Sequence, residues 1–113
     1  MAYDQHLAER LRTILQEQGE LSEKRMMGGA CFMLNGHMVG GADRNKDGIG
    51  RFMFRVGKEN ETAALSLQGG ETMMQGGRKM SGFFFVPEEI CDEQLLTSWV
   101  KLAVSFVKSL PPK

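Results

Sequence analysis

A chain of 113 residues with fourteen acidic and fourteen basic side chains and 42% hydrophobic content is sized for a single soluble globular domain, residues 1–113. Zero net charge argues against strong nucleic-acid binding by the chain alone, because such binding is mostly phosphate electrostatics. Its apolar stretches are too short to span a bilayer, so no membrane contact is expected. The start Met1-Ala2-Tyr3-Asp4-Gln5-His6 lacks the basic-then-apolar order of a signal peptide, and a cytoplasmic location is expected.

Residues 4–18 are predicted as an amphipathic helix, because Leu7, Leu11, Ile14 and Leu15 recur at helical spacing. Asp4 is its candidate N-cap and Gly19 its candidate stop. Lys24 to Leu34 reads as one strand, with Gly28-Gly29 marking a bulge or a close backbone approach. Asn35-Gly36 between apolar runs is a hairpin signal, since a type I′ turn needs positive φ at both central residues. His37 to Ala42 is the return strand, and 43–50 a polar connection.

Arg51 to Gly57 is a strand in which Phe52, Phe54 and Val56 alternate with Met53 and Arg55. Lys58 to Leu67 suits a short helix ended by Gly69-Gly70. Glu71 to Gln75 is a weak strand, Gly76-Gly77 a turn, and Met80 to Val86 a strong strand stopped by Pro87. Asp92 caps a last helix that runs to about Ser109 and is ended by Pro111-Pro112. The predicted order is α-β-β-β-α-β-β-α. It describes a two-layer α+β domain, a five-stranded antiparallel sheet with helices on one face.

Short glycine-punctuated blocks follow one another along this order. They are Met26-Met27-Gly28-Gly29, Phe32-Met33-Leu34-Asn35-Gly36-His37-Met38, Arg55-Val56-Gly57, Met80-Ser81-Gly82-Phe83 and Ser109-Leu110-Pro111-Pro112-Lys113. In order and spacing they resemble the N-terminal domain of the TfoX/Sxy competence regulators. Met27 stands where that family has an aromatic residue, Lys79 where it has proline, and Ser81 where lysine is frequent. The resemblance implies a bacterial domain with a secretion-chaperone-like α+β fold, standing alone without the helical second domain of its two-domain relatives. It carries no catalytic residues with it.

Several residues are candidates for chemistry. Asp43-Arg44-Asn45-Lys46-Asp47-Gly48 matches the start of an EF-hand calcium loop, but Phe54 occupies the twelfth position, where the bidentate acid belongs. No calcium binding is expected. Gly28-Gly29, Gly69-Gly70 and Gly76-Gly77 lack the pattern of a phosphate loop and read as turns or bulges. His6 and His37 have no nucleophile or acid beside them in sequence. Cys31 and Cys91, sixty residues apart, read as buried free thiols without zinc-ligand spacing. No catalytic residue, metal site or cofactor is expected.

Three features point instead to contacts. Nine methionines, among them Met26, Met33, Met53, Met73 and Met80 in or beside strands, read first as core filler and second as an adaptable partner surface. Residues 24–58 carry seven basic and two acidic side chains, and Arg51, Arg55, Arg78 and Lys79 are candidate contacts for an anion or a partner. The last helix has two apolar stripes. Leu95, Trp99, Leu102 and Phe106 are expected on the sheet, while Leu96, Val100 and Val107 are a candidate interface for a partner or a homodimer. The expectation is a non-enzymatic regulatory or adaptor domain acting through contact with an unknown protein partner. A nucleic-acid-associated regulator using segment 24–58 is the alternative, and a small-molecule-binding protein or enzyme comes third.

Overall fold

The computed structural model describes residues 3–26 and 28–111. Met27 of the first glycine block, and Pro112-Lys113 of the last, lie outside the described residues. Helix α1 spans Gln5–Leu15, and strands β1 (Leu21–Met26), β2 (Gly29–Leu34), β3 (His37–Arg44) and β4 (Gly50–Arg55) follow. A 3-10 turn at Lys58–Asn60 leads into the short helix α2 (Glu61–Leu65). Strands β5 (Glu71–Gln75) and β6 (Arg78–Pro87), a 3-10 turn at Glu88–Ile90 and helix α3 (Glu93–Lys108) complete the chain.

The sheet is antiparallel with strand order β1-β2-β3-β4-β6-β5. It has six strands rather than the expected five. The predicted strand 24–34 is two strands: β1 folds back on β2, with Met26 opposite Gly29. Gly28, at φ 83°, turns the chain there, so the glycine pair marks a hairpin and not a bulge. Strand β1 reads Leu-Ser-Glu-Lys-Arg-Met and is exposed over nearly its whole length, which hid it from a search for alternation.

Several turn signals act as expected, although α1 ends at Leu15 with Gln16 as its cap rather than at Gly19. Asn35 and Gly36 have φ of 53° and 87°, the pair of positive values that a type I′ turn needs. The Leu7 amide donates to Asp4 Oδ1 at 3.1 Å, and the Leu95 amide donates to Asp92 Oδ1 at 2.8 Å, so both predicted N-caps are made. The Leu7 amide, with help from the Arg44 guanidinium, holds the Asp4 carboxyl below its ordinary value against some desolvation.

Both long helices lie on the sheet face that carries Phe32, Phe52, Phe54, Phe84 and Val86, all essentially buried. Trp99 of α3 anchors this layer, stacked on Phe54 with ring centroids 5.5 Å apart and tilted against Phe84 at 5.6 Å. Leu7, Leu11 and Leu15 of α1 complete the core. The expected division of α3 does not hold. Leu96, Val100 and Val107 are buried within the chain, whereas Leu95, Leu102 and Phe106 are only partly buried. Two helices side by side on one sheet face bury a wider arc than one helix would, and Ile14 of α1 lies beside Val100 and Val104. The stripe read as a candidate interface is therefore core.

The glycines of two family blocks meet across the sheet. The Val56 and Gly57 amides both donate to the Gly82 carbonyl, at 2.7 and 3.2 Å. Gly57 and Gly82 have φ of 78° and 82°. A Cβ on Gly82 would stand 2.8 Å from the Gly57 Cα, and one on Gly57 would fall inside the Phe106 ring's van der Waals surface. Arg-Val-Gly and Gly-Phe are thus two halves of one close backbone approach.

Candidate partner surface

Residues directly opposite each other in an antiparallel sheet share a face. The register therefore places Lys24, Cys31, Gly41, Met53, Phe85 and Glu71 in one row across all six strands. This row lies on the face away from the helices, since its sequence neighbours Phe32, Phe54 and Phe84 are the residues under Trp99 and α1. On one side of it stand Asp43, Arg51 and Pro87, and on the other Met33 and Met38, with Arg55 opposite Phe83. Among the described residues no helix covers the central row of this face, although Arg55 at its border reaches the Phe106 ring of α3 at 5.2 Å.

Methionine defines the face. Met33, Met38, Met53 and Met73 are only half-buried, and Met26 is 49% exposed. Among the described residues, neither the core nor the side chains packed against it include a methionine. The expectation that the methionines fill the core is corrected here, and Phe83 and Phe85 are likewise outside it while Phe84 is inside. At the centre of the face is a shallow cleft of about 140 Å³ lined by Met26, Cys31, Met38, Met53, Met73 and Phe85. Gly41 and Gly29, which lack side chains, open it. This is room on the order of one benzene ring or one thioether side chain.

Charge is sparse in the middle and fixed at the border. Arg51 Nε donates to Asp43 Oδ1 at 2.8 Å, and the guanidinium lies 3.7 Å from the centroid of Phe85. Lys24 and Glu71, at opposite ends of the central row, are exposed, and neither forms an ion pair among the described residues. Cys31 lies in the cleft wall as a free thiol, and burial pushes its pKa up. Cys91 is the other free thiol, pushed to about 11 by burial beside Arg10. Thiols held neutral in this way are poor nucleophiles.

The four candidate cationic contacts do not form one patch. Arg51 sits opposite Pro87 at one end of β6, and Arg78 and Lys79 begin the same strand at its other end. Lys79 Nζ approaches Glu61 at 3.8 Å, and Arg55 Nη1 donates to the Met38 carbonyl at 3.3 Å. Further basic residues of segment 24–58 have internal partners too. Arg25 stacks over Tyr3 at 3.5 Å, and Arg44 pairs with Asp4 at 2.6 Å. His6 is exposed, whereas His37 is nearly buried and its Nε2–H donates to the Pro111 carbonyl at 2.6 Å. Among the described residues no three metal-ligating side chains converge. No helix of the described residues is long and apolar enough to cross a membrane.

Met53 and Met73 stood out in the sequence, but the cross-strand row through Met53 did not. Cys31, Gly41, Phe85, Lys24 and Glu71 join it only through strand pairing. The available signal was in β4 and β6, where apolar residues occupy both alternating positions.

The family model of the TfoX N-terminal domain matches residues 13–107, nearly the whole chain. The chain belongs to this family. No curated protein and no solved structure matches it.

Proposed function

We propose that this member of the TfoX N-terminal domain family is a non-enzymatic regulatory or adaptor domain that acts through protein–protein contact. The family suggests a competence-related regulatory role. The observation that carries the contact reading is the helix-free sheet face, with half-buried Met33, Met38, Met53, Met73, Phe83 and Phe85. Flexible, polarizable thioethers adapt to a partner's shape, and a broad uncovered apolar face marks an interaction surface. A cytoplasmic location suits the two reduced thiols. The alternative of nucleic-acid contact through segment 24–58 draws less support, because Arg25, Arg44, Arg51 and Arg55 are turned to internal partners.

A photoreactive benzophenone residue placed at Met53, and separately at the exposed α3 position Ser105, tests the reading in cells of the native host. The expected result is covalent protein adducts from position 53 and not from position 105. Adducts with nucleic acid alone, or none at position 53, would overturn it.

A further inference from the structure

The helix-free face is complementary to itself. We infer that its occupant is a second copy of this chain, related by a two-fold axis that runs along the strands between β3 and β4. This rests on the reading that the face is a protein-contact surface, and it names the partner. Strand order puts β3 and β4 at the centre of the sheet, β2 and β6 outside them, and β1 and β5 at the edges. A two-fold along the strands lays β3 over β4 of the second copy, β2 over β6 and β1 over β5. Each row of side chains then faces its own reverse.

Three consequences follow from the register. In the central row, Lys24 faces Glu71 of the second copy, and Glu71 faces its Lys24. Cys31 faces Phe85, and Gly41 faces Met53, so the Met53 side chains of the two copies meet over the cleft, each with its Cε already 3.6 Å from the Cβ position of its own Gly41. In the neighbouring row, Asp43 faces Arg51, and the ion pair within each chain becomes an alternating ring of four charges. A two-fold across the strands would instead set Lys24 on Lys24 and Glu71 on Glu71. Like charges disfavour that arrangement.

Geometry and area are sufficient. Aligned sheets stack about 10 Å apart with strands within about 30° of each other. Strand spacing and rise make the face roughly 24 by 20 Å, about 480 Å² per protomer in projection. A corrugated side-chain surface exceeds its projection, which brings the total buried near the roughly 1,200 Å² of the smaller specific interfaces. Lys24 and Glu71 sit on the two edge strands, are exposed and have no ion-pair partner at home. The contact would give each one.

Sedimentation of the full chain with a charge-swap cycle is the test. The wild type is expected to dimerise. Lys24→Glu alone, or Glu71→Lys alone, reverses two symmetric contacts and should weaken the dimer on the order of tenfold. The double variant Lys24→Glu with Glu71→Lys should return to within about twofold of wild type. Thermal melting confirms that all three remain folded. A wild type that stays monomeric at about 0.1 mM, beyond the range of specific dimers of this size, overturns the inference. So does a dimer indifferent to the single reversals, or one in which the two reversals add rather than cancel. A monomer that still yields foreign-protein adducts from position 53 sinks this inference alone. A monomer with no adducts there sinks the contact reading as well.

Discussion

The two faces of the sheet are built from consecutive residues and differ in almost every property. Phe52 and Phe54 are sealed beneath the helices, while Arg51 and Met53, interleaved with them in the same strand, face the other way. The covered face is aromatic, with rings locked around Trp99. The uncovered face is mainly thioether and glycine, with Phe83 and Phe85 beside them and charge at its border. Rigid rings suit a surface with one permanent partner, the helices. Flexible side chains suit a surface whose partner arrives from outside. Stability is thus carried by one set of alternate residues of these strands, and the proposed contact by the other.

That division is sharpest at neighbouring positions, where the largest effects are expected. Phe54→Ala should cost about 3–5 kcal/mol in chemical denaturation, as a core aromatic truncation does. Met53→Ala, one residue away, should cost less than about 1 kcal/mol when the chain is monomeric. Similar losses at both positions would show that the helix-free face is part of the fold's own core. Gly57→Ala comes next. The new methyl group meets the Phe106 ring, and φ of 78° is strained for alanine, so a loss of about 2 kcal/mol is expected. Gly41→Ala tests the other face. Its Cβ would meet the Ala30 carbonyl oxygen at 2.6 Å, so it should destabilise as well as fill the cleft. Met53 is therefore the better probe of contact.

The local signals in the sequence carried most of the fold. Asp4, Asp92 and Asn35-Gly36 act through their nearest neighbours, and each caps or turns where its chemistry predicts. Strand β1 escaped because an exposed edge strand has no apolar face to alternate. The candidate site was legible only in fragments. Alternation tells which residues share a face, but not whether anything covers it. Phe83-Phe84-Phe85 and Met53-Phe54 are apolar on both sides, a pattern shared by a strand buried on both faces and a strand with one face awaiting a partner. The fate of Leu96, Val100 and Val107 likewise depended on where α1 lies, which no property of α3 encodes.

A smaller effect separates the helical layer from the sheet beneath it. Asp4 caps α1 and also holds Arg44 at the end of β3, so it ties the two layers together. Asp4→Ala should cost about 1 kcal/mol near neutral pH. The folded carboxyl has a lowered pKa. Its contribution is therefore fully present above the unfolded value near 4, and it is lost as pH falls through the lower folded value. The gap between wild type and Asp4→Ala should narrow below about pH 4. A gap independent of pH would mean that the carboxylate's charge plays no part in the cap.

The smallest expected effect is none. The oxygen-rich run Asp43 to Gly48 spans the end of β3 and its connection to β4, and several of its oxygens already have partners. Asp43 accepts from Arg51. Asn45 Oδ1 accepts from the Asp47 and Ile49 amides at 2.9 and 3.0 Å, and the Gly48 carbonyl accepts from Arg44. A calcium ion would have to displace two arginines and an Asx turn, with Phe54 in the core where a bidentate acid would be required. Millimolar calcium should leave the melting temperature unchanged. A calcium-dependent rise, abolished by Asp47→Asn, would show that the loop rearranges around a cation. It would also break the Asp43–Arg51 pair at the border of the helix-free face, and so join two regions that the present geometry keeps apart.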